Sequence, residues 1–206
     1  IVVSDDAELP YLDTWQERRI KNGLRVRKIT KDELAELEPH VNGKAALHVP
    51  EAGIVNYKQV AEVLVDQLKE HGVEFRFNQH VVGLHCDATS CEVVTQDSCF
   101  KGKYIINCGG LQSDRLAHKA GANIQHRIVP FRGEYYEIVK DRRHLVKNLI
   151  YPVPNPSFPF LGVHFTRMID GSIHAGPNAV LSLKREGYSK YSFDFVDAWS
   201  ALSYPG

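Results

Sequence analysis

The chain has 206 residues, 43% of them hydrophobic, so it can bury a substantial core and is not a disordered tail. Its 25 Lys and Arg residues balance its 25 Asp and Glu residues, which gives no basic surface for nucleic acid or for an anionic membrane. No apolar run approaches the roughly 20 residues of a transmembrane helix, and no signal peptide opens the chain. We therefore expect a cytoplasmic globular protein.

The first 50 residues alternate strand and helix signals. A helix is predicted over 7–22, and Gly23 ends it as the C′ residue. Thr30 and Glu33 have the spacing of a capping box, in which each side chain satisfies a free amide of the other residue, so a short helix is predicted to follow. Strands are predicted over 1–3, 26–29 and 45–49.

The next 70 residues have the clearest pattern. Apolar residues recur at helical spacing from Val60 to Leu68, and Gly72 ends the predicted helix. Short β-prone runs separated by polar turns then predict a meander of strands. These strands are predicted over 73–77, 81–84, 91–94 and 100–106.

The run 107–114 joins an apolar strand to a helix through two adjacent glycines. Tyr104–Ile106 predicts a buried strand, and Ser113 or Asp114 is predicted to cap the helix. Because glycine has no Cβ, a ligand can lie against its backbone, and a helix N-terminus favours a nearby anion. This is how an open α/β sheet binds a nucleotide cofactor, although an ordinary turn has the same pattern.

Residues 126–206 are rich in β-prone residues and have no helical pattern until 193–202. An antiparallel sheet that presents loops to a site is the simplest interpretation. Strands are predicted over 128–131, 135–139 and 160–163.

The four cysteines give no recognisable metal site. Their spacings fit no common zinc motif, so we expect no metal and, in a cytosolic protein, reduced thiols. The alternatives are a zinc ion bound by Cys86, Cys91 and Cys99, or a disulfide between Cys91 and Cys99 across a hairpin. The cysteines are Cys86, Cys91, Cys99 and Cys108.

Several motifs along the chain resemble those of the L-2-hydroxyglutarate oxidase/dehydrogenases, flavoenzymes of the D-amino-acid-oxidase-like superfamily. A generic flavoprotein would share only the glycine turn, whereas here the long aromatic and proline-rich segments are similar as well. The matching segments are 53–57, 107–114, 128–136, 148–154, 160–167, 170–171 and 176–179.

The resemblance implies an α/β plus α+β fold, with part of an FAD-binding Rossmann-like domain and a substrate domain built on a mixed or antiparallel sheet. It assigns 1–55 and 126–206 to the substrate domain and 56–125 to the FAD-binding domain. It also implies an internal fragment, without the family's N-terminal dinucleotide motif and C-terminus. An incomplete parallel sheet then leaves an exposed edge that favours self-association.

The implied cofactor is FAD, held by the full-length protein rather than by this chain alone. The resemblance maps Val81 and Val82 onto the strand that contacts the adenosine part, and Gly176 onto a further cofactor position. It maps Cys108, Gly109, Gly110 and Leu111 onto the turn that lies against the cofactor.

Oxidation of a 2-hydroxy acid requires groups that hold the carboxylates and one that accepts the hydroxyl proton. Arg132 and Arg167 are candidates for carboxylate binding, since Arg pairs in a bidentate manner. Arg132 could equally form a structural salt bridge. Tyr151 corresponds to a substrate-side tyrosine in related amine oxidases, or else packs in the core.

His164 is the candidate proton acceptor, because the unperturbed pKa of His is about 6.5. A structural role is the alternative for any one of the ten histidines, and His48 is a weaker candidate. His164 and Arg167 lie three apart, so they should project from opposite faces of a strand. Tyr57 begins a helix and either bonds a ligand or staples that helix.

The sequence thus predicts a fragment of an FAD-dependent enzyme that oxidises a dicarboxylic 2-hydroxy acid, L-2-hydroxyglutarate, to the 2-oxo acid. The resemblance implies electron transfer to oxygen or to a membrane quinone pool, and so a location in the cytoplasm or at the periphery of the inner membrane. An amine or amino-acid oxidase acting on glycine- or sarcosine-like substrates, and a non-catalytic nucleotide-binding module, are the alternatives.

Overall fold

The computed structural model describes residues 1–155, 157 and 160–204. They form two compact units. Unit 1 comprises 1–62 and 133–180, and unit 2 comprises 63–132 together with the segment from 181 onward. The boundary between the units at 180/181 falls inside the predicted second segment of the substrate domain, 126–206. The roles assigned to the predicted segments remain predictions.

The described residues form five α-helices and eleven short strands. The helices are α1 (Leu9–Lys21), α2 (Lys31–Leu37), α3 (Tyr57–Glu70), α4 (Ser113–Lys119) and α5 (Phe195–Leu202). The strands are β1 (Val2–Val3), β2 (Arg27–Thr30), β3 (Ala45–His48), β4 (Val81–Cys86), β5 (Cys91–Thr95), β6 (Cys99–Gly102), β7 (Phe131–Arg132), β8 (Tyr136–Glu137), β9 (His164–Arg167), β10 (Ile173–Gly176) and β11 (Val180–Leu181). No described helix is both long enough and apolar enough to cross a bilayer.

The local signals in the first 50 residues are confirmed. Gly23 follows α1 with φ +81°, the left-handed conformation of a C′ glycine. In the capping box, the Glu33 amide donates to Thr30 Oγ1 at 3.3 Å and the Thr30 amide donates to Glu33 Oε2 at 2.8 Å. The box fixes the start of α2 directly after β2.

Unit 1 is organised around two antiparallel three-stranded sheets, with strand orders β1-β3-β2 and β8-β10-β9. The short segment 150–152 lies between them. Val2 bridges to Pro152 in parallel, and Ile150 bridges to Phe165 in antiparallel. The bridges therefore join the two sheets into one mixed sheet, whereas the resemblance implied a mixed or antiparallel one.

Both faces of the β1-β3-β2 part of this sheet are covered by apolar side chains, because successive residues of a strand point to opposite faces. Val2 and Ala46 pack on one face with Ile29 and with Leu34 from α2. The other face carries a second cluster: Val3, Leu12, Leu47 and Val153.

The strand predicted over 160–163 is wrong, because β9 begins only at His164. Leu161 and Val163 are exposed, and no described strand pairs with them. A β-prone run without a partner strand has nothing to satisfy its backbone groups and does not form a strand.

Unit 2 contains the predicted meander, in which β4, β5 and β6 pair as successive antiparallel neighbours. Gly72 ends α3 with φ +79°, as predicted. A second, two-stranded sheet joins β7 to β11.

One predicted strand of this region is absent, and another is shorter than predicted. Residues 73–77 form no strand, and the strand predicted over 100–106 ends at Gly102. The buried strand predicted at Tyr104–Ile106 is wrong, since the side chains of Tyr104 and Ile106 are 87% and 86% exposed. No described segment pairs with it, so its β-prone residues have no sheet to join.

The predicted cap of α4 is also wrong. A single turn of 3-10 helix over Gly110–Gln112 leads directly into α4, and the N-cap residue Gln112 forms no side-chain capping hydrogen bond. Ser113 and Asp114 are the first two residues of the helix. The Asp114 carboxylate instead accepts from the Ile128 amide and from Arg185.

The expectation of four reduced thiols is wrong for one pair. Cys86 and Cys91 are directly opposite in the β4–β5 hairpin and form a disulfide. Cys91 lies opposite Gly102 rather than Cys99, so the alternative pairing is also wrong. Cys99 and Cys108 are free and exposed. Within the described residues no group of three His, Cys, Asp or Glu side chains could hold a metal ion.

A buried ionic cluster stabilises unit 2. Arg185 is almost completely buried and pairs with Asp114 through both terminal nitrogens, while its own amide donates to Asp197 Oδ2 at 2.8 Å. Arg115 also pairs with Asp197. Burial alone would raise the pKa of the Asp114 carboxyl, but the hydrogen bonds from Arg185, Ile128 and Arg115 outweigh it, so this pKa lies well below its usual range.

Replacing Arg185 by Ala should lower the free energy of unfolding by about 3–5 kcal/mol, because it leaves the buried Asp114 carboxylate without its counter-ion. Chemical denaturation of the 206-residue chain measures this loss. Lys184→Ala is the matched control, since Lys184 is an exposed neighbour whose side chain forms no ion pair in the described chain. Equal stability of the two variants would contradict the structural role of Arg185.

Candidate functional site

Titratable and aromatic side chains gather on one face of the β8-β10-β9 sheet in unit 1. The pairing places His164 opposite Gly176 and Thr166 opposite His174, so both histidines project from the same face. The Tyr151 ring stacks on the His164 ring, with centroids 4.4 Å apart. Tyr135 packs its edge against His164 at 6.4 Å and also contacts His174 at 6.2 Å. We call Tyr135, Tyr151, His164 and His174 the histidine–tyrosine cluster.

His164 is held in one orientation. The residue is 6% exposed, and its Nδ1 lies 2.9 Å from the Gly162 carbonyl oxygen. A carbonyl only accepts, so Nδ1 carries the proton of this hydrogen bond. In the neutral ring Nε2 is then the basic nitrogen. Within the described residues Nε2 forms no hydrogen bond.

His174 adjoins a short chain of polar groups. Its Nε2 lies 3.5 Å from Ser172 Oγ, which donates to Asp170 Oδ1 at 2.7 Å. The hydrogen bonds from the Ser172 hydroxyl and amide lower the pKa of the Asp170 carboxyl, so this carboxylate remains ionised. The cluster therefore has one buried histidine and one that is linked to a carboxylate.

Because Gly176 has no side chain, the Tyr135 ring can pack directly against β10. A Cβ at this position would lie 2.7 Å from Tyr135 Cδ1 and 2.9 Å from the Glu134 carbonyl oxygen. Only glycine therefore lets β10 approach the ring of Tyr135 so closely. This packing explains the glycine without a ligand, and its cofactor contact remains a prediction.

Arg167 lies on the opposite face of β9 from His164, as the spacing predicted. Its Nη1 donates to the carbonyl oxygens of Val146 at 3.3 Å and Lys147 at 3.1 Å. The same loop is held from its other side by the buried Glu38 carboxylate, which accepts from the amides of Lys147 and Asn148. Arg167 therefore fixes the loop that leads into Tyr151.

A cavity of about 840 Å³ in unit 1 has Tyr151, Arg167 and His48 in its wall, but not His164. Most of the wall is apolar or backbone. The weaker candidate His48 is half-buried and, within the described residues, forms no hydrogen bond through its ring.

Arg132 and Tyr57 are not members of the histidine–tyrosine cluster. Arg132 belongs to unit 2, where its Nη1 donates to the carbonyl oxygens of Ser189 at 2.8 Å and Gly187 at 3.4 Å. Tyr57 is the first residue of α3, and its side chain is 80% exposed. The structure therefore does not join either side chain to His164 and Tyr151 in one described site.

The glycine turn of unit 2 is shaped by its own residues. The Gly109 amide donates to Asn107 Oδ1 at 3.0 Å, and a Cβ on Gly109 would lie 2.5 Å from Leu116 Cδ1. Gly110 has φ +52° and open space where a Cβ would be. Arg185 Nη1 donates to the Leu111 carbonyl at 2.6 Å, which ties the turn to the buried ionic cluster.

The remaining predicted cofactor residues of unit 2 are Cys108, Val81 and Val82. Cys108 is exposed beside Gly109. Val81 and Val82 begin β4, and the Val82 carbonyl accepts from Lys119 Nζ at 3.0 Å.

The candidate list from the sequence missed three important residues: Tyr135, His174 and Arg185. Strand alternation predicts that Tyr135 and Tyr136 point to opposite sides, and indeed Tyr136 is 84% exposed. Register was the missing signal for His174, since only the β9–β10 pairing places it beside His164. Arg185 lies in an irregular segment, and nothing in its sequence context predicts burial.

Comparison with known proteins identifies the family. The family description "DAO: FAD dependent oxidoreductase" matches residues 1–200. The chain belongs to this family. As a member of the DAO family it shares a fold class with FAD-dependent oxidoreductases, in agreement with the sequence prediction.

Curated relatives of this DAO-family chain align with all of it. It is 46% identical over 208 residues to the L-2-hydroxyglutarate dehydrogenase of Indibacter alkaliphilus, covering 100% of this chain and 52% of the relative. It is 39% identical to the L-2-hydroxyglutarate dehydrogenase of Escherichia coli strain K12, of which it covers 49%. The chain therefore spans about half the length of the curated relatives it matches.

Solved structures support the DAO-family fold. L-α-glycerophosphate oxidase from Mycoplasma pneumoniae with FAD bound aligns with a TM-score of 0.76 and 24% identity, over 90% of this chain and 50% of that one. L-proline dehydrogenase from P. horikoshii aligns with a TM-score of 0.75 and 17% identity, over 98% and 53%. At these identities the likeness concerns the fold alone.

The glycine turn is compatible with FAD. Gly110 is exposed, and the space beside its Cα is empty of protein atoms, so a flat group can approach the backbone there. Cys108 and the half-buried Leu111 flank this opening. α4 has only seven residues and no capping side chain, so the turn itself, rather than a helix terminus, is the feature that fits the cofactor.

Replacing Gly110 by Ala should lower the free energy of unfolding by about 1–2 kcal/mol, because an L-residue is strained at φ +52°. Gly53→Ala is the matched control: it too has open space at the Cβ position, but its φ is not positive. Thermal denaturation of both variants makes the comparison. A Gly110→Ala protein as stable as Gly53→Ala would show that the turn is not held in the left-handed conformation.

Proposed function

We propose that this chain forms part of an FAD-dependent enzyme that oxidises L-2-hydroxyglutarate to 2-oxoglutarate. The observation that carries the proposal is 46% identity along 100% of the chain to a protein named L-2-hydroxyglutarate dehydrogenase. The histidine–tyrosine cluster supports it, because the reaction needs a base and hydrogen-bond donors on a rigid sheet face.

FAD, when bound, supplies the acceptor for the hydride that leaves C2 of the substrate. The residues proposed to hold it are the turn residues Gly109 and Gly110 with their neighbours Cys108 and Leu111, together with Val81, Val82 and Gly176. The open side of Gly110 supports this assignment.

His164 is proposed to accept the hydroxyl proton at Nε2. The Gly162 carbonyl keeps the other ring nitrogen protonated, which leaves Nε2 as the basic atom. The stacked Tyr151 ring and the edge of Tyr135 limit rotation of the imidazole. A base that is already oriented needs no rearrangement in the transition state.

The two substrate carboxylates require cationic or hydroxyl partners. The Tyr151 hydroxyl is proposed to donate to one of them, since its ring is fixed against His164. Arg132, Arg167 and Tyr57 are retained as candidate ligands. Arg167 already donates to backbone carbonyls through Nη1, which would leave its other guanidinium nitrogens for a carboxylate.

Electron transfer to oxygen or to a quinone, a position in the cytoplasm or at the periphery of the inner membrane, and self-association of the chain are further parts of this proposal. The exposed apolar side chains of Tyr104 and Ile106 support self-association.

The substrate is tested on the full-length protein that contains this chain. L-2-hydroxyglutarate should bleach the flavin absorbance under anaerobic conditions, because hydride transfer reduces the ring. D-2-hydroxyglutarate, glycine and sarcosine are the controls and should leave the spectrum unchanged. Bleaching by glycine or sarcosine would instead identify an amine oxidase, and retention of FAD without bleaching by any of these compounds would favour a binding module.

His164→Asn tests the proton acceptor, because the Asn amide can still donate to the Gly162 carbonyl while the Nε2 base is lost. The expected result is a fall in kcat of about 10²- to 10⁴-fold and loss of the acidic limb of the pH–rate profile. His71→Asn is the matched control, since His71, an exposed residue directly after α3, also has its Nδ1 against a backbone carbonyl, that of Gln67 at 2.8 Å. An unchanged pH profile in His164→Asn would remove His164 from the mechanism.

A further inference from the structure

The second histidine of the histidine–tyrosine cluster, His174, has no part in the proton transfer proposed for His164. Because β9 and β10 pair with His164 opposite Gly176, His174 is the diagonal neighbour of His164 on the same face of the sheet. Diagonal neighbours of an antiparallel pair lie about 7–8 Å apart. The Tyr135 ring contacts both imidazoles, with centroid distances of 6.4 and 6.2 Å. Strand register therefore fixes the separation of two imidazoles on this face.

The hydrogen bonds of Ser172 decide which nitrogen of His174 is protonated. The Ser172 hydroxyl has one proton, which it donates to Asp170 Oδ1 at 2.7 Å. Its oxygen lies 3.5 Å from His174 Nε2 and can only accept there, so Nε2 carries a proton. The other ring nitrogen, Nδ1, forms no hydrogen bond with any described residue. Since His174 is only half-buried, Nδ1 is available to a ligand.

The charges around His174 favour a positive charge on its ring. The hydrogen bonds from Ser172 lower the pKa of the Asp170 carboxyl, and so do the positive charges of Arg143 and of protonated His174. The Asp170 carboxylate therefore attracts the imidazolium. Glu137 lies directly opposite His174 in β8, but its carboxylate pairs with Arg143 at 2.7 Å. His174 is thus an imidazole suited to binding an anion.

The two histidines differ in this respect. Nδ1 of His164 lies against the carbonyl oxygen of Gly162, which is a neutral group, whereas His174 is linked to a carboxylate. A neutral imidazole with a basic nitrogen suits proton abstraction, and a cationic imidazole suits a charge-assisted hydrogen bond to a carboxylate. One face of the sheet therefore presents a base and an anion-binding group.

We propose that His174 binds the C5 carboxylate of the substrate through Nδ1 and so selects a dicarboxylic 2-hydroxy acid. This inference rests on the proposed oxidation of L-2-hydroxyglutarate. The C1 carboxylate adjoins the hydroxyl group whose proton goes to His164, and Tyr151, stacked on that ring, is the donor proposed for it. Two methylene groups separate C5 from the hydroxyl-bearing carbon, which suits the diagonal distance to His174.

His174→Gln tests the assignment in the full-length protein, because the Gln amide can still donate to Ser172 Oγ while the Nδ1 donor is lost. The comparison substrate is L-2-hydroxyvalerate, in which C5 is a methyl group. The ratio of kcat/KM for L-2-hydroxyglutarate to that for L-2-hydroxyvalerate should fall by about 10- to 100-fold, mainly through KM. His126→Gln is the matched control, since His126 is exposed and its ring has no hydrogen bond within the described chain.

A binding measurement makes the test independent of turnover. Glutarate, which lacks the hydroxyl group, is titrated into the full-length protein by calorimetry. Its Kd should rise about 10- to 100-fold in His174→Gln. Asp170→Asn should raise the Kd by a smaller factor, because the exposed Asn can still accept from Ser172 but no longer attracts the imidazolium.

Equal affinity of the wild type and His174→Gln for glutarate would overturn the role of His174, whichever substrate the enzyme oxidises. An unchanged selectivity ratio in a protein that does oxidise L-2-hydroxyglutarate would also overturn it and would leave the proposed function standing. Glutarate binding that depends on His174, in a protein that does not oxidise L-2-hydroxyglutarate, would support the dicarboxylate site and overturn the proposed oxidation.

Discussion

The backbone pairing of 150–152 is the interaction on which unit 1 depends. One hydrogen bond from the Val2 amide and a reciprocal pair between Ile150 and Phe165 connect two small sheets that would each be marginal alone. The loop before this segment is fixed by the buried Glu38 carboxylate and by Arg167. Since Tyr151 lies within the segment, the same bonds that complete the sheet also bring its ring onto His164.

One part of the mixed sheet carries the apolar core of unit 1, and another part carries the candidate functional residues. Near β1 and β3 both faces are apolar and pack against α1 and α2. Near β9 and β10 one face instead carries the histidine–tyrosine cluster, where His164 is buried and its Nε2 forms no hydrogen bond with any described residue. A rigid, mostly apolar support of this kind is the usual setting for a base that must hold one orientation.

Local signals in the sequence were sufficient where the cause is local. The capping box of Thr30 and Glu33 and the positive φ of Gly23 and Gly72 depend only on neighbouring residues, and all were predicted. The strand at 104–106 was not correctly predicted, because a strand exists only if a partner pairs with it. The Cys86–Cys91 disulfide likewise follows from hairpin register, which spacing alone does not give.

In the candidate site, too, some residues follow from local motifs and others only from the pairing of strands. His164 and Tyr151 were named from their motifs, and the structure brings them together. Tyr135 and His174 join them only through the register of β8, β9 and β10. Arg132 was named beside them, yet it belongs to the other unit, because segment boundaries depend on packing that the sequence does not display.

The contact between Arg185 and the Leu111 carbonyl has a practical consequence for dissecting this protein. The glycine turn and the residue that secures it are more than 70 positions apart in sequence. An expression boundary placed at 180, where unit 1 ends, would remove Arg185 and leave the Asp114 carboxylate without its counter-ion. Any recombinant piece designed to study the turn should therefore retain the stretch through α5, even though it looks like a dispensable tail.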